Sequence, residues 1–76
     1  EELKKKGNEC MKAGNHTEAV FHYTHAIKIE SKNAILYSNR SAAFLKIEQF
    51  YLAIQDARKS IQLDPNWTKV QYVWFL

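Results

Sequence analysis

Ala19-Val20-Phe21-His22-Tyr23-Thr24-His25-Ala26-Ile27-Lys28-Ile29-Glu30 and Ala53-Ile54-Gln55-Asp56-Ala57-Arg58-Lys59-Ser60-Ile61-Gln62-Leu63-Asp64 are two copies of one helical pattern. At a shift of about 34 residues, Ala19 falls on Ala53, Val20 on Ile54, Ile27 on Ile61, Ile29 on Leu63 and Glu30 on Asp64. Further upstream, Lys6 falls on Arg40. Val20, Tyr23, Ala26 and Ile27 recur at helical spacing, as do Ala53, Ile54, Ala57 and Ile61, so each copy presents one apolar stripe. The alanines let two helices approach closely, and the larger Tyr23 and Phe44 fill the gaps between them.

Outward from these stretches each copy reads as helix, short turn, helix. The first copy predicts a helix over 2–13, a break at Gly14-Asn15 and a second helix over 17–29. Gly takes the left-handed end of one helix, and Asn15 caps the next. The second copy predicts helices over 35–47, with Leu36, Phe44 and Ile47 apolar, and over 50–63. Pro65 closes it, because it has no N–H and forces its predecessor out of the helical region. The chain thus divides into a first repeat over about 1–33, a second over about 34–67 and a partial third helix over about 68–76. Neither hairpin buries its apolar face alone, so the copies stack around a shared core, leaving a concave groove lined by the first helix of each. From Val70 to Leu76 the residues are almost wholly apolar. That tail either packs as a short helix on the second hairpin or is sticky and drives self-association.

Composition agrees with a small helical domain. The 76 residues are 46% hydrophobic, with two Gly and one Pro; few breakers favour helices. Eleven Lys and Arg against eight Asp and Glu leave a net charge of +3. That mild excess suits a carboxylate-bearing partner better than a nucleic-acid-coating surface, and few aromatics interleave with the basic residues to stack bases. Cys10 is the single cysteine, so no intramolecular disulfide forms, which fits a reducing, cytoplasmic setting. Asn15, Asn39 and Asn66 open Asn-x-Ser/Thr triplets, acceptors in a secreted protein but otherwise residues that suit helix starts. No signal peptide or membrane span is visible, and the chain opens inside a helical pattern, as if excised from something longer.

Three stretches carry a more specific likeness: Lys4-Lys5-Lys6-Gly7-Asn8, Leu36-Tyr37-Ser38-Asn39-Arg40-Ser41-Ala42-Ala43-Phe44 and Asp64-Pro65-Asn66-Trp67-Thr68-Lys69. With Ala19-x3-Tyr23 and Ala53 they fit a degenerate tetratricopeptide pattern. They resemble the tetratricopeptide domains of chaperone adaptor proteins over about residues 1–69. The resemblance implies an all-α fold of antiparallel helix-turn-helix repeats stacked as a short right-handed superhelix. It implies a partner too: the Glu-Glu-Val-Asp tail of cytosolic heat-shock chaperones of the seventy- and ninety-kilodalton classes, held by its terminal carboxylates. By the same resemblance Lys4, Asn8, Asn39 and Lys69 form the clamp, and Ala42 and Lys46 line the groove beside it. The family has Arg where this chain has Val73. Spacing adds independent support. Lys4 and Asn8 lie one turn apart on one helix face, as Asn39, Ala42 and Lys46 share another. Lysines supply charge, and the Asn amides supply directional donors.

The remaining candidates read as structure. His22 and His25 are three apart, but His16, His22 and His25 find no Cys or carboxylate to complete a metal set in the sequence, so no metal or cofactor is expected. Cys10 takes a core position as a small buried hydrophobe. Arg40 and Asp56 are expected to pair between two helices. No phosphate loop, triad or paired acidic motif is present, so a binding module is expected rather than an enzyme. The alternatives are a scaffold for another protein partner and a module attached to an enzyme outside these residues.

Overall fold

The computed structural model describes residues 2–66. The expected third helix, the apolar tail and the positions of Lys69 and Val73 lie outside them. Four helices follow one another: α1 Glu2–Ala13, α2 His16–Ile29, α3 Ala34–Lys46 and α4 Phe50–Leu63. No strand occurs among the described residues. α1 packs on α2, α2 on α3 and α3 on α4, and α1 also touches α3. The two hairpins are thus stacked through α2 and α3, as the repeat requires.

The turns show how the same geometry is reached with different residues. After α1, Gly14 sits at φ 85°, and Asn15 N–H closes back on Cys10 O at 2.8 Å. After α3, Glu48 sits at φ 61°, and Gln49 N–H closes back on Phe44 O at 2.9 Å. Glu48 is the 34-residue equivalent of Gly14, so the second turn holds a side chain in the left-handed region that Gly occupies at no steric cost.

Helix capping differs from the sequence expectation. Asn15 precedes α2 but its side chain makes no capping bond; at φ −88°, ψ 68° its backbone lies outside the extended region that aims a capping oxygen at the first turn. Asn33, extended at φ −91°, ψ 106°, caps α3 instead. Its Oδ1 accepts from Ile35 N–H at 3.0 Å and Leu36 N–H at 3.4 Å.

The main core gathers Ala19, Tyr23, Ala26, Ile27, Leu36, Tyr37 and Ala43, with Leu3, Cys10, Met11, Val20 and Leu63 packed at its edge. Cys10 is therefore only partly buried, a correction to the fully buried position expected of it. Ala53 and Ala57 form a second centre, with Phe44, Leu45 and Ile61 against it. Volume is exchanged between the repeats. In the first, the large Tyr23 lies against Gly7: a Cβ on Gly7 would fall 2.8 Å from Cζ of Tyr23 and nearer still to two other ring carbons. In the second, Ser41 and Ala57 take those places, and Phe44 on α3 supplies the bulk. Buried Ser41 donates to Ala53 O at 2.7 Å and buried Ser60 to Ala34 O at 2.9 Å, so both hydroxyls are satisfied while they tie α3 to α4.

The expected Arg40–Asp56 pair is present and bidentate, Nε to Oδ2 at 2.7 Å and Nη2 to Oδ1 at 2.8 Å. Arg40 Nη1 also donates to Thr24 Oγ1 at 3.1 Å, and the guanidinium lies 5.8 Å from the Tyr37 ring centroid and 5.7 Å from that of Phe44. One side chain on α3 therefore joins α2 to α4. Asp56 is 5% exposed, and removing one partner of such a pair strands a buried charge, at a cost of about 3–5 kcal/mol.

Two substitutions test this packing. Gly7→Ala improves helix propensity by about 1 kcal/mol, but the fully buried Tyr23 ring leaves the methyl no room. Overpacking should win, and we expect a net loss of about 1–2 kcal/mol in chemical denaturation; a stabilised variant would mean the ring gives way freely. Glu48→Gly should act oppositely. Relief of the left-handed strain, about 1–2 kcal/mol, exceeds the added freedom of the unfolded chain. The denaturation midpoint should rise by the equivalent of about 0.5–1 kcal/mol, and a lowered midpoint would contradict the strain.

Candidate functional site

α1 contributes a polar stripe, because Lys4, Asn8 and Lys12 succeed one another at one-turn intervals. α3 contributes Ile35, Asn39 and Ala42 from its first three turns. Where the two helices meet, these residues, with Met11 and Tyr23, line an open cavity of about 440 Å³. Its wall is mixed: two lysines and two amides on the polar side, and Met11, Ile35 and Ala42 as apolar surface.

The amides are held in a defined orientation. Tyr23 is 1% exposed and reaches from α2 beneath α1, where its hydroxyl donates to Asn8 Oδ1. Asn39 Nδ2 donates to the same oxygen at 3.4 Å. Burial, and secondarily the neighbouring Cys10 thiol, push the Tyr23 phenol up to about 12, so it remains a proton donor throughout the neutral range. With its carbonyl oxygen engaged twice, Asn8 has its NH2 group to offer a ligand. Asn39 retains a second N–H. Ammonium groups carry donors only, so the polar side of the cavity has the chemistry of an anion receptor.

Lys4, Asn8, Asn39 and Ala42 are thus brought together as their spacing implied. Lys46 is exposed at the end of α3 and is not among the described residues that line this cavity. Lys69 and Val73 lie outside the described residues. Lys12, Met11, Ile35 and the Tyr23 hydroxyl were not singled out from sequence. Lys12 was legible, one turn beyond Asn8 on the same face. Tyr23 and Ile35 were not, since only the crossing of α1, α2 and α3 joins them.

Residue order gave His22 no Cys or carboxylate partner, but the fold places one of each beside it. Cys10 and the Glu18 carboxylate stand with His22, their ligand atoms all within 4.8 Å of one another. The antiparallel turn at Gly14-Asn15 folds Cys10 back beside α2, a juxtaposition that residue order does not display. His25 is exposed, as expected, whereas His16 and His22 are partly buried.

Among the described residues no helix is long and apolar enough to cross a membrane.

Comparison with known proteins gives a consistent result. The Hsp70-Hsp90 organizing protein of Triticum aestivum is 44% identical over 69 residues, covering 91% of this chain and 12% of that protein. Serine/threonine-protein phosphatase 5 of Homo sapiens is 40% identical over 72 residues, covering 95% of this chain and 14% of that protein. The chain therefore spans only a small part of these relatives' length. Among solved structures, the second TPR of Spaghetti (RPAP3), bound to the HSP90 peptide SRMEEVD, superposes with a TM-score of 0.93 at 33% identity, over 96% of this chain and 68% of that one. The family model for the TPR repeat matches residues 7–48. Those residues run from the glycine beneath Tyr23 to the left-handed turn that ends α3, and the chain belongs to the TPR repeat family.

Proposed function

We propose that this chain is a co-chaperone adaptor module whose α1–α3 cavity takes the C-terminal end of a Glu-Glu-Val-Asp-type peptide from heat-shock chaperones of the seventy- and ninety-kilodalton classes. In this reading it binds rather than catalyses and works in the cytoplasm. The observation that carries the proposal is the donor-rich polar side of the cavity: the amide of Asn8 held by Tyr23 and Asn39, with Lys4 and Lys12 along the same helix face. A peptide ending in Asp carries a main-chain and a side-chain carboxylate, which together match two cations and two amides. Met11, Ile35 and Ala42 offer apolar contact to the Val before it. The similarity to a TPR solved with SRMEEVD supports the same ligand class, and the name of the wheat relative supports both chaperone classes.

The clamp in this proposal consists of Lys4, Asn8, Asn39 and Lys69, with Lys12 added from the cavity lining. Val73 stands where an Arg would add a planar, permanently charged donor. A second reading, the same module attached to an enzyme outside these residues, is favoured by the phosphatase relative.

Titration of a free-acid peptide ending Glu-Glu-Val-Asp against its amidated form tests the proposal. The free acid should bind at least tenfold more tightly, a difference of about 1.4 kcal/mol, and weaken with added salt. Asn8→Asp preserves the acceptor for Tyr23 but replaces the offered NH2 with a second, negatively charged carboxylate oxygen, so affinity should fall more than tenfold. Lys12→Ala and Lys69→Ala should each cost about tenfold, within the range of a charge-assisted hydrogen bond of about 1.5–3 kcal/mol. Lys5→Ala should change little, because Lys5 is exposed and lies outside the cavity lining. Equal binding of the two peptides would instead identify a scaffold that recognises its partner without the terminal carboxylate.

A further inference from the structure

A second polar cluster lies between α1 and α2, on residues that the peptide cavity does not use. Glu18 and His22 are one turn apart on α2, with His22 Nε2 3.6 Å from Glu18 Oε2. Cys10 faces them from α1, and the three ligand atoms lie within 4.8 Å of one another. We propose that Cys10, Glu18 and His22 form a zinc site that clips α1 to α2.

Three arguments converge. The donor set is a thiolate, an imidazole and a carboxylate, the types that Zn²⁺ takes together in tetrahedral sites. The geometry is close to what the ion needs. With ligand bonds of about 2.0–2.3 Å, tetrahedral donors stand roughly 3.3–3.7 Å apart. The His22–Glu18 pair already meets that spacing, so Cys10 has about 1 Å to close. Glu18 is exposed and its side chain can turn to follow the ion while the helices stay in place. Finally, the local field favours a cation. Two carboxylates, Glu9 and Glu18, stand at the same recess as Cys10. A divalent ion answers both carboxylates and binds the thiol as thiolate. Glu9, Cys10, Glu18 and His22 share an open recess of about 410 Å³, which admits the ion and leaves room for water as a fourth ligand. Lys6 on its rim is exposed, and a lysine stem is long enough to hold its ammonium in solvent away from a bound cation.

Cobalt titration of the metal-stripped full chain, with zinc competition, tests the site. Co²⁺ should give a thiolate-to-metal charge-transfer band in the near ultraviolet that saturates at one ion per chain and is displaced by Zn²⁺. The band should vanish in Cys10→Ser. His22→Ala and Glu18→Ala should each weaken Co²⁺ binding at least tenfold. With Zn²⁺ at a hundredfold over its Kd the thermal midpoint should rise by roughly 10 °C, reversibly with chelator, and in His22→Ala the rise should largely disappear. Far-ultraviolet spectra check that each variant keeps its helices. If Cys10→Ser fails to fold, the two α2 variants, whose side chains lie outside the core, decide the matter. No band at a hundredfold excess of Co²⁺ overturns the proposal. So does a band or a thermal shift that is unchanged in both α2 variants, since the thiol would then be binding metal without its neighbours.

Discussion

The contact on which most of this molecule depends is the Tyr23 ring lying against Gly7. The ring fixes how closely α2 approaches α1, because no side chain stands between ring and backbone. It fills the centre of the main core, where Ala19, Ala26 and Leu36 gather with it. Its hydroxyl emerges on the far side, at the edge of the cavity, and holds Asn8. Packing and recognition chemistry therefore share one residue. A hydroxyl buried without a partner is costly, so the pairing with Asn8 stabilises the core while it orients the amide.

The second repeat reaches the same architecture by a different distribution of bulk and charge. Ser41 and Ala57 replace the Gly7 and Tyr23 pair, Phe44 moves the large side chain to the other helix, and buried hydroxyls bridge α3 to α4. Arg40 then does for α2, α3 and α4 what Tyr23 does for α1 and α2: it spans neighbouring elements with directional bonds. A ligand in the cavity would touch both repeats, through α1 from one and α3 from the other. Its affinity would thus report on the stacking of the hairpins as well as on the groups it meets.

Much of this was legible in the residues. The shared pattern at Ala19 and Ala53 placed all four helices to within a residue, because helical burial leaves a period that survives substitution. Arg40 and Asp56 were recognisable as partners, being charged residues on facing helices. Lys4, Asn8 and Asn39 carried the resemblance and met at one cavity. Other features were not legible. Asn15 looked like a cap and was none, while Asn33, two residues before Ile35, was the cap in fact; backbone angles decide which Asn can aim its oxygen. Lys12, one turn beyond Asn8, joined the cavity lining although its residue type alone did not single it out.

What the sequence by itself determined is periodic and local: helix extents, the glycine turn, the proline stop and the residue types available for a carboxylate. These follow from the dihedral preferences and side-chain spacing of a single helix. What only the tertiary structure decided is which atoms meet. Asn8 joined to Tyr23 and Asn39, Lys12 beside Met11 and Ile35 along the cavity, and Cys10 beside Glu18 and His22 all depend on the crossing of helices. That crossing is set by the volumes packed between them, of which the narrowest is the hydrogen of Gly7 under the ring of Tyr23.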